Sequence, residues 1–265
     1  MLEIIREHKN FYRQIIGLSW LDMRREYRGA ALSWAWAIIR PLVFLGVYFF
    51  TMKFGMRVSV SKEGIDLFPW LIVGLAVWFF IQDILNAGSN SFRRYSFLIS
   101  KTKFPVSIIP TIVVLSQFFV HLGLMIIVMV YLFFFEDAFA WTWIQIPMYM
   151  TLLASFSVFW SLFASPLTAI SKDFYQLIKS VTRILFWLSG VLWNVRNIEN
   201  EWVRSLFMLN PVTGFIEGYR DALLYHEWFW QSPVRFTYLI SALIILAFLA
   251  VFVFKKTRKE VVDVL

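Results

Sequence analysis

Few residues in this chain are of the types that do acid/base or nucleophilic chemistry. Glu217 and Asp221 lie four residues apart, which places both carboxylates on one face of a helix, but Arg220 lies beside them. Ion pairing is then favoured over general acid/base catalysis. The sequence has no Gly-x-x-x-x-Gly-Lys-Ser/Thr phosphate loop, no His-Glu-x-x-His, no Gly-x-Ser-x-Gly and no cysteine. We therefore expect neither a catalytic nor a metal site.

The secondary structure that holds these residues can be predicted from the unusually apolar composition of the chain. Apolar residues make up 60% of the 265 residues and charged residues only 16%, too few to cover a soluble globule. Several apolar runs reach the ~20 residues that a helix needs to cross a bilayer, and the alternation typical of a β-barrel does not recur. We predict an all-α membrane protein whose net charge of +8 serves the membrane surface rather than nucleic acid.

Six transmembrane helices are predicted, at about 33–57, 67–87, 106–135, 144–170, 177–195 and 234–254. Together they form one transmembrane domain, 33–254, preceded by an interfacial segment, 1–32, and followed by a tail, 255–265. Lysine and arginine are concentrated in alternate connections, which places those connections and both termini in the cytoplasm. The prediction is a multi-pass protein of the plasma membrane.

The N-terminal segment predicts an amphipathic helix that is too polar to span. Ile4, His8 and Ile15 share one face, and charged residues occupy the other. The helix either lies in the membrane interface or packs on a partner protein. Arg24, Arg25 and Arg28 continue its positive charge up to the first span.

Two arginines fall well inside predicted spans, away from the span ends. Arg40, before Pro41, either snorkels to the interface or faces a polar cavity and meets an anionic substrate group. Arg183 accompanies Ser180, Thr182 and other small or polar residues in the fifth span, which favour close helix packing or line a cavity.

A short basic loop joins the second and third spans. It carries Arg93, Arg94, Lys101 and Lys103 and is predicted to be cytoplasmic. These four cations are either topological anchors only or also contact a partner. Lys172 and Asp173 lie in the other short cytoplasmic connection.

The segment from Asn197 to Pro233 is too polar to cross a membrane and too apolar to be free in water, which predicts short outer helices that re-enter the bundle. Several tryptophans fall near the outer interface, where an aromatic belt is the ordinary expectation. Trp193 and Trp202 are the ones we would first expect to stack on sugar rings.

Several short motifs, in order along nearly the whole chain, resemble the polysaccharide-export permeases of the ABC-2 transporter type, and among them wall teichoic acid export permeases most. The motifs are Tyr27-Arg28-Gly29, Trp34-Ala35-Trp36, Gly88-Ser89-Asn90-Ser91, Lys103-Phe104-Pro105-Val106-Ser107, Leu209-Asn210-Pro211 and Glu217-Gly218-Tyr219-Arg220. The resemblance implies a homodimer bound to two copies of an ABC ATPase. It also implies a teichoic acid or related polysaccharide, carried on undecaprenyl diphosphate, as substrate.

The resemblance also implies roles for particular residues. ATP and Mg would be bound by the partner subunit and no cofactor by this chain. The residues assigned to ATPase coupling are Phe92, Arg93, Arg94, Tyr95, Lys101, Lys172 and Asp173. Those assigned to the entrance for the substrate diphosphate are Arg24, Arg25, Arg28 and Arg40. Those assigned to the glycan path or outer gate are Trp193, Trp202, Glu217, Tyr219 and Arg220.

Two other functions stay open at this level. One is a membrane-embedded transferase that acts on lipid-linked sugars, with Glu217 and Asp221 as its catalytic pair. The other is an ABC-2 exporter of small hydrophobic molecules.

Overall fold

The computed structural model describes residues 2–26, 35–57, 64–101 and 104–264, and all regular structure in these ranges is helical, with no strand. The predicted all-α class is confirmed. Arg28 and Lys103 lie outside the described residues, as do the motifs around residues 27–34.

The helices are named here in chain order. They are α1 (Leu2–Asn10), α2 (Tyr12–Glu26), α3 (Trp36–Phe50), α4 (Leu67–Asp83), α5 (Ser91–Arg94), α6 (Ser96–Lys101), α7 (Ile109–Phe135), α8 (Ile146–Ile170), α9 (Lys172–Leu188), α10 (Glu201–Met208), α11 (Pro211–Arg220) and α12 (Pro233–Val264). Wider π-helical turns extend α3 over Thr51–Gly55, α4 over Ile84–Gly88 and α11 over Asp221–Tyr225.

Five helical segments in the described part of the chain are long and apolar enough to cross a membrane. They are Trp36–Gly55, Leu67–Gly88, Val106–Phe135, Trp141–Ile170 and Pro233–Val261. These segments agree with five of the predicted spans to within a few residues, except that the last one continues well past residue 254. The α12 helix itself runs to Val264, so the predicted tail is helical.

The predicted span at 177–195 differs from the observed helix. Helix α9 begins at Lys172 and ends at Leu188, and its 17 residues make it shorter than the five segments above. It ends because Gly190 takes a left-handed backbone conformation, with φ of +63°. A Cβ atom at Gly190 would lie 2.5 Å from Cγ2 of Val195, so the turn is also tightly packed. The prediction of a helix as far as 195 is therefore wrong, and Trp193 lies in a connection.

Helix α4 lies at the centre of the bundle. Its side chains are buried along most of its length, and it packs against α3, α7 and α11. Helix α8 packs along α12. Helix α11 is inserted among the long helices, since it is buried from Val212 to Arg220 and Phe215 contacts Phe156 well inside α8, with 5.5 Å between ring centroids.

The N-terminal segment is helical, as predicted, but forms two helices separated at Phe11. Helix α2 packs against α7, with Ile15 buried between them. Ion pairs from Arg258 to Glu3 (2.8 Å) and Glu7 (3.5 Å) connect α1 to the end of α12. We call the end of the bundle that carries α1, α2, α5, α6 and the end of α12 the basic end, and the end near α10 the opposite end.

Candidate functional site: a polar cavity in the helix bundle

A cavity of about 650 Å³ opens between α3, α4, α7 and α9. Its polar lining consists mainly of Arg40, Gln82, Asp83, Asn86, Gln117, Gln176, Lys179 and Arg183. Carboxamide groups both donate and accept hydrogen bonds, so they can pair with the hydroxyl groups of a ligand. A cavity of this size and polarity in an apolar bundle is a candidate path for a polar molecule.

The charge of the cavity is predominantly positive. Arg40 from α3 and Lys179 and Arg183 from α9 face it together with one carboxylate, Asp83. On α9 the cationic residues follow Gln176 at helical spacing, so the polar face of this amphipathic helix is the cavity wall. Such a wall attracts a phosphate or carboxylate group.

Arg40 lines the cavity, which is the position that the second of its two predicted roles requires. It lies about one turn inside α3, because the helix begins at Trp36. Pro41 has no N–H, so the helix supplies no amide donor to the carbonyl of Ala37, another residue of the cavity wall. Arg40 and Pro41 are thus both part of the cavity wall.

Aromatic rings form the other part of the lining. Phe186 packs against Tyr48 and Trp78, with centroids 5.4 and 5.3 Å apart, and Phe44 lies 6.3 Å from Phe79. Flat rings bind the apolar faces of sugars without requiring one arrangement of hydroxyls. The combination of cations, carboxamides and rings suits an anionic or phosphate-linked glycan.

A second group of charges is buried between α11 and its neighbours. Arg220 is fully buried and donates to Glu217 Oε1 (2.8 Å), the Gly190 carbonyl (2.8 Å) and the Val191 carbonyl (3.0 Å). Its guanidinium also lies over the ring of Trp70, 3.4 Å from the centroid. Burial opposes ionisation of Glu217, but Arg220 and Arg196 hold the pKa of this carboxyl below its usual value.

Arg196 joins this group from the connection after α9. Its Nε donates to Glu217 Oε2 at 3.2 Å, and its guanidinium also pairs with Asp221 and Glu227. Asp221 is paired with Arg235 at the start of α12 as well. The network therefore fastens α11 to the α9–α10 connection and to α12.

The residues predicted for the glycan path occupy three different environments. Glu217, Tyr219 and Arg220 are buried within the subunit and do not line the large cavity, although the Tyr219 hydroxyl lies 3.3 Å from Nε2 of His121, which does. Trp193 lines a separate cavity of about 400 Å³ near Met52 and Trp70. Trp202 is 74% exposed on α10.

The residues predicted for ATPase coupling lie at the basic end but are not equally accessible. Phe92 is fully buried and contacts Phe254, so it anchors α5 rather than presenting a surface. Arg93 donates to the Ala169 carbonyl at 3.2 Å, and Arg94 pairs with Asp22 at 2.9 Å. Lys172 and Asp173 are exposed, and Phe97 between the coupling residues is 64% exposed. Tyr95 is half-buried, and Lys101 is the last residue of α6.

Of the described residues that were predicted to form the entrance for the diphosphate, one lines the cavity and two do not. Arg24 and Arg25 are exposed near the end of α2 and do not line the cavity, whereas Arg40 does. Lys179, which sequence reasoning missed as a site residue, lines the cavity together with Arg40 and Arg183. The signal that could have found it is the helical spacing of Gln176, Lys179 and Arg183.

Replacing Gly74 with alanine is expected to destabilise the protein by about 1–3 kcal/mol, the usual range for an overpacked core. The new Cβ would lie 2.3 Å from Nη2 of Arg220, which must then leave its partners. Thermal unfolding in detergent measures the effect. Gly123→Ala on α7 is the matched control, because no atom lies within 4 Å of its added Cβ. Equal stability of the two variants would show that Arg220 has room to move.

Comparison with known proteins assigns the chain to a family. Residues 13–224 match the ABC-2 type transporter family, and the chain belongs to it. The chain is similar to the O-antigen export system permease protein RfbA of Myxococcus xanthus, with 23% identity over 266 residues that cover 98% of both chains. It is also similar to the RfbA permease of Klebsiella pneumoniae, with 25% identity over 250 residues and 92% coverage of both. The predicted ABC-2 resemblance is confirmed at the level of the family.

Proposed function

We propose that this chain is the membrane permease of an ABC transporter that exports a polysaccharide across the plasma membrane. The observation that carries the proposal is the large cavity, in which three cations, several carboxamides and a set of aromatic rings face one another in an ABC-2 chain. Its relatives are named as O-antigen export permeases. A polar, aromatic cavity suits a glycan better than a small hydrophobic molecule.

In this proposal the substrate is a lipid-linked glycan, and the cations of the cavity receive its charged group. Arg40, Lys179 and Arg183 attract the diphosphate that joins the glycan to an undecaprenyl carrier, after the exposed Arg24 and Arg25 have drawn it to the basic end. The same cations suit the repeated phosphates of a teichoic acid. We therefore keep teichoic acid as the proposed polymer and a related polysaccharide as the wider class.

The active unit is proposed to be a homodimer of six-span subunits with both termini in the cytoplasm. Helix α9 would supply the sixth crossing, since its 17 residues extend for about 25 Å. Its exposed apolar side chains Leu177, Val181, Ile184 and Leu188 follow one stripe beside the cavity wall. A second copy packed on this stripe would close the cavity into a path. Helices α10 and α11 would re-enter from the outer face.

The energy is proposed to come from two copies of a separate ATPase, because the sequence has no phosphate loop of its own. That subunit would bind ATP and Mg and contact the basic end, near α6 and the exposed start of α9. The transferase hypothesis requires Glu217 and Asp221 to be available for acid/base catalysis. Both carboxylates are instead held by arginines, and we do not propose it.

Reconstitution tests this function. The chain is co-purified with a candidate phosphate-loop ATPase and placed in vesicles that contain a lipid-linked glycan. Export is scored as glycan that becomes accessible to a glycosidase on the opposite side. We expect ATP-dependent export by the complex and no ATP hydrolysis by the chain alone. Glycosyl transfer by the isolated chain, or export without an ATPase, would overturn the proposal.

A further inference from the structure

Asp22 is a buried carboxylate that connects three elements of the basic end. It lies on α2, and only 5% of its surface is exposed. Its Oδ1 accepts a hydrogen bond from Nη2 of Arg94 at 2.9 Å, and its Oδ2 accepts one from the Ser116 hydroxyl at 3.0 Å. Arg94 ends α5 and Ser116 lies in α7, so one side chain joins α2, the basic loop and a long apolar helix.

A third partner of Asp22 is Tyr95. Burial and the neighbouring Asp22 carboxylate raise the pKa of the Tyr95 hydroxyl above its usual value, which keeps this hydroxyl protonated beside the carboxylate. Burial of a carboxylate is unfavourable unless charged and polar partners satisfy it. The α2–α7 packing and the position of the basic loop therefore depend on one another through Asp22.

From this geometry we infer that Asp22 is a positioning residue that holds the basic loop rigidly to α2 and α7, so that displacement of the loop moves the membrane helices. The inference rests on the proposed function, because it assumes that the ATPase moves this loop. The neighbouring anchors point the same way: Phe92 is buried against Phe254, and Arg93 is bonded to the end of α8. Helix α5 of the basic loop is thus attached to α8 and α12 as well as to α2.

The test compares Asp22→Asn with wild type in the reconstituted complex. We expect the ATPase to co-purify and hydrolyse ATP at a rate near that of wild type, while the glycan exported per ATP hydrolysed falls about tenfold or more. Asp263→Asn, an exposed acid near the end of α12, is the matched control and should leave this ratio unchanged. An unchanged ratio in Asp22→Asn would overturn the inference.

A second pair of variants separates positioning from folding. Because the chain has no cysteine, Asp22→Cys with Arg94→Cys introduces the only two thiols of this subunit. We expect low coupling when the thiols are reduced and recovery of coupling when a short bifunctional reagent bridges them, in the same folded protein. Bridging that leaves coupling low would overturn the inference. Failure of wild type to export would instead reject the proposed function, so the two failures are distinguishable.

Discussion

Replacing Arg220 with methionine is expected to lower the free energy of unfolding by about 3–5 kcal/mol, the range for breaking a buried ion pair by removing one partner. The substitution leaves the buried Glu217 carboxylate with Arg196 alone and removes the donors to the carbonyls of Gly190 and Val191. Thermal unfolding in detergent should show a fall on the order of 10 °C. Helix α11 should also become accessible to protease before the rest of the bundle.

Arg204→Met on α10 provides the control for this prediction. Arg204 is 38% exposed and pairs with Glu201 at 3.5 Å, so its loss should cost no more than about 1 kcal/mol. If both substitutions lowered stability equally, the buried network would not be what fastens α11. If Arg220→Met alone did so while export of the remaining folded protein persisted, its role would be structural rather than contact with the glycan.

Reversing two charges of the cavity is expected to abolish export. In Lys179→Glu with Arg183→Glu, carboxylates replace two of the three cations that face the cavity, so an anionic group meets like charges. Juxtaposed like charges cost several kcal/mol, which corresponds to a loss of about 100-fold or more. Glycan export by the reconstituted complex measures the loss.

Lys255→Glu with Lys256→Glu makes the same change in net charge at exposed positions near the end of α12. This control variant should keep most of the export activity. A neutral substrate gives a different outcome: the cavity variant would then export as well as the control, and the assignment of an anionic group to Arg40, Lys179 and Arg183 would be wrong.

The long apolar segments were predictable because their signal is local. A run of about 20 apolar residues is long enough to cross a bilayer whatever surrounds it, and five observed helical segments match predicted ones, although the last continues past residue 254. The end of α9 was not predictable from hydropathy, because apolar residues continue from Val191 to Trp193 beyond Gly190. A left-handed glycine packed against Val195 ends the helix, and that contact forms only in the folded chain.

The candidate site was predicted in part, again from a signal that is local in the sequence. Arg40 and Arg183 stood out because a charge within an apolar run is costly. Lys179 lies close to the predicted cytoplasmic connection, where a lysine is ordinary, and it was missed although its helical spacing from Gln176 and Arg183 places all three on one face. Phe92 was assigned to ATPase coupling because the resemblance implies that role for the basic loop, but its aromatic side chain packs into the core.

Asp22 shows the limit of sequence reasoning most clearly. In the sequence it is one acid among the charged residues near an amphipathic helix, and such an acid is ordinarily expected on the solvent-exposed face. Its partners Arg94 and Ser116 are more than 70 residues away along the chain. Only the packing of α2 against α7 brings them together.

Capture of the glycan during export tests the central claim that the cavity is the path. A photoreactive amino acid is placed at Gln176, which lines the cavity, or at Phe134, which is 71% exposed on α7 and does not line it. Illumination during ATP-driven export should attach the glycan to the subunit at position 176 and not at 134, and only while ATP is hydrolysed. Continued export with no adduct at position 176, or with equal adducts at both positions, would contradict the claim.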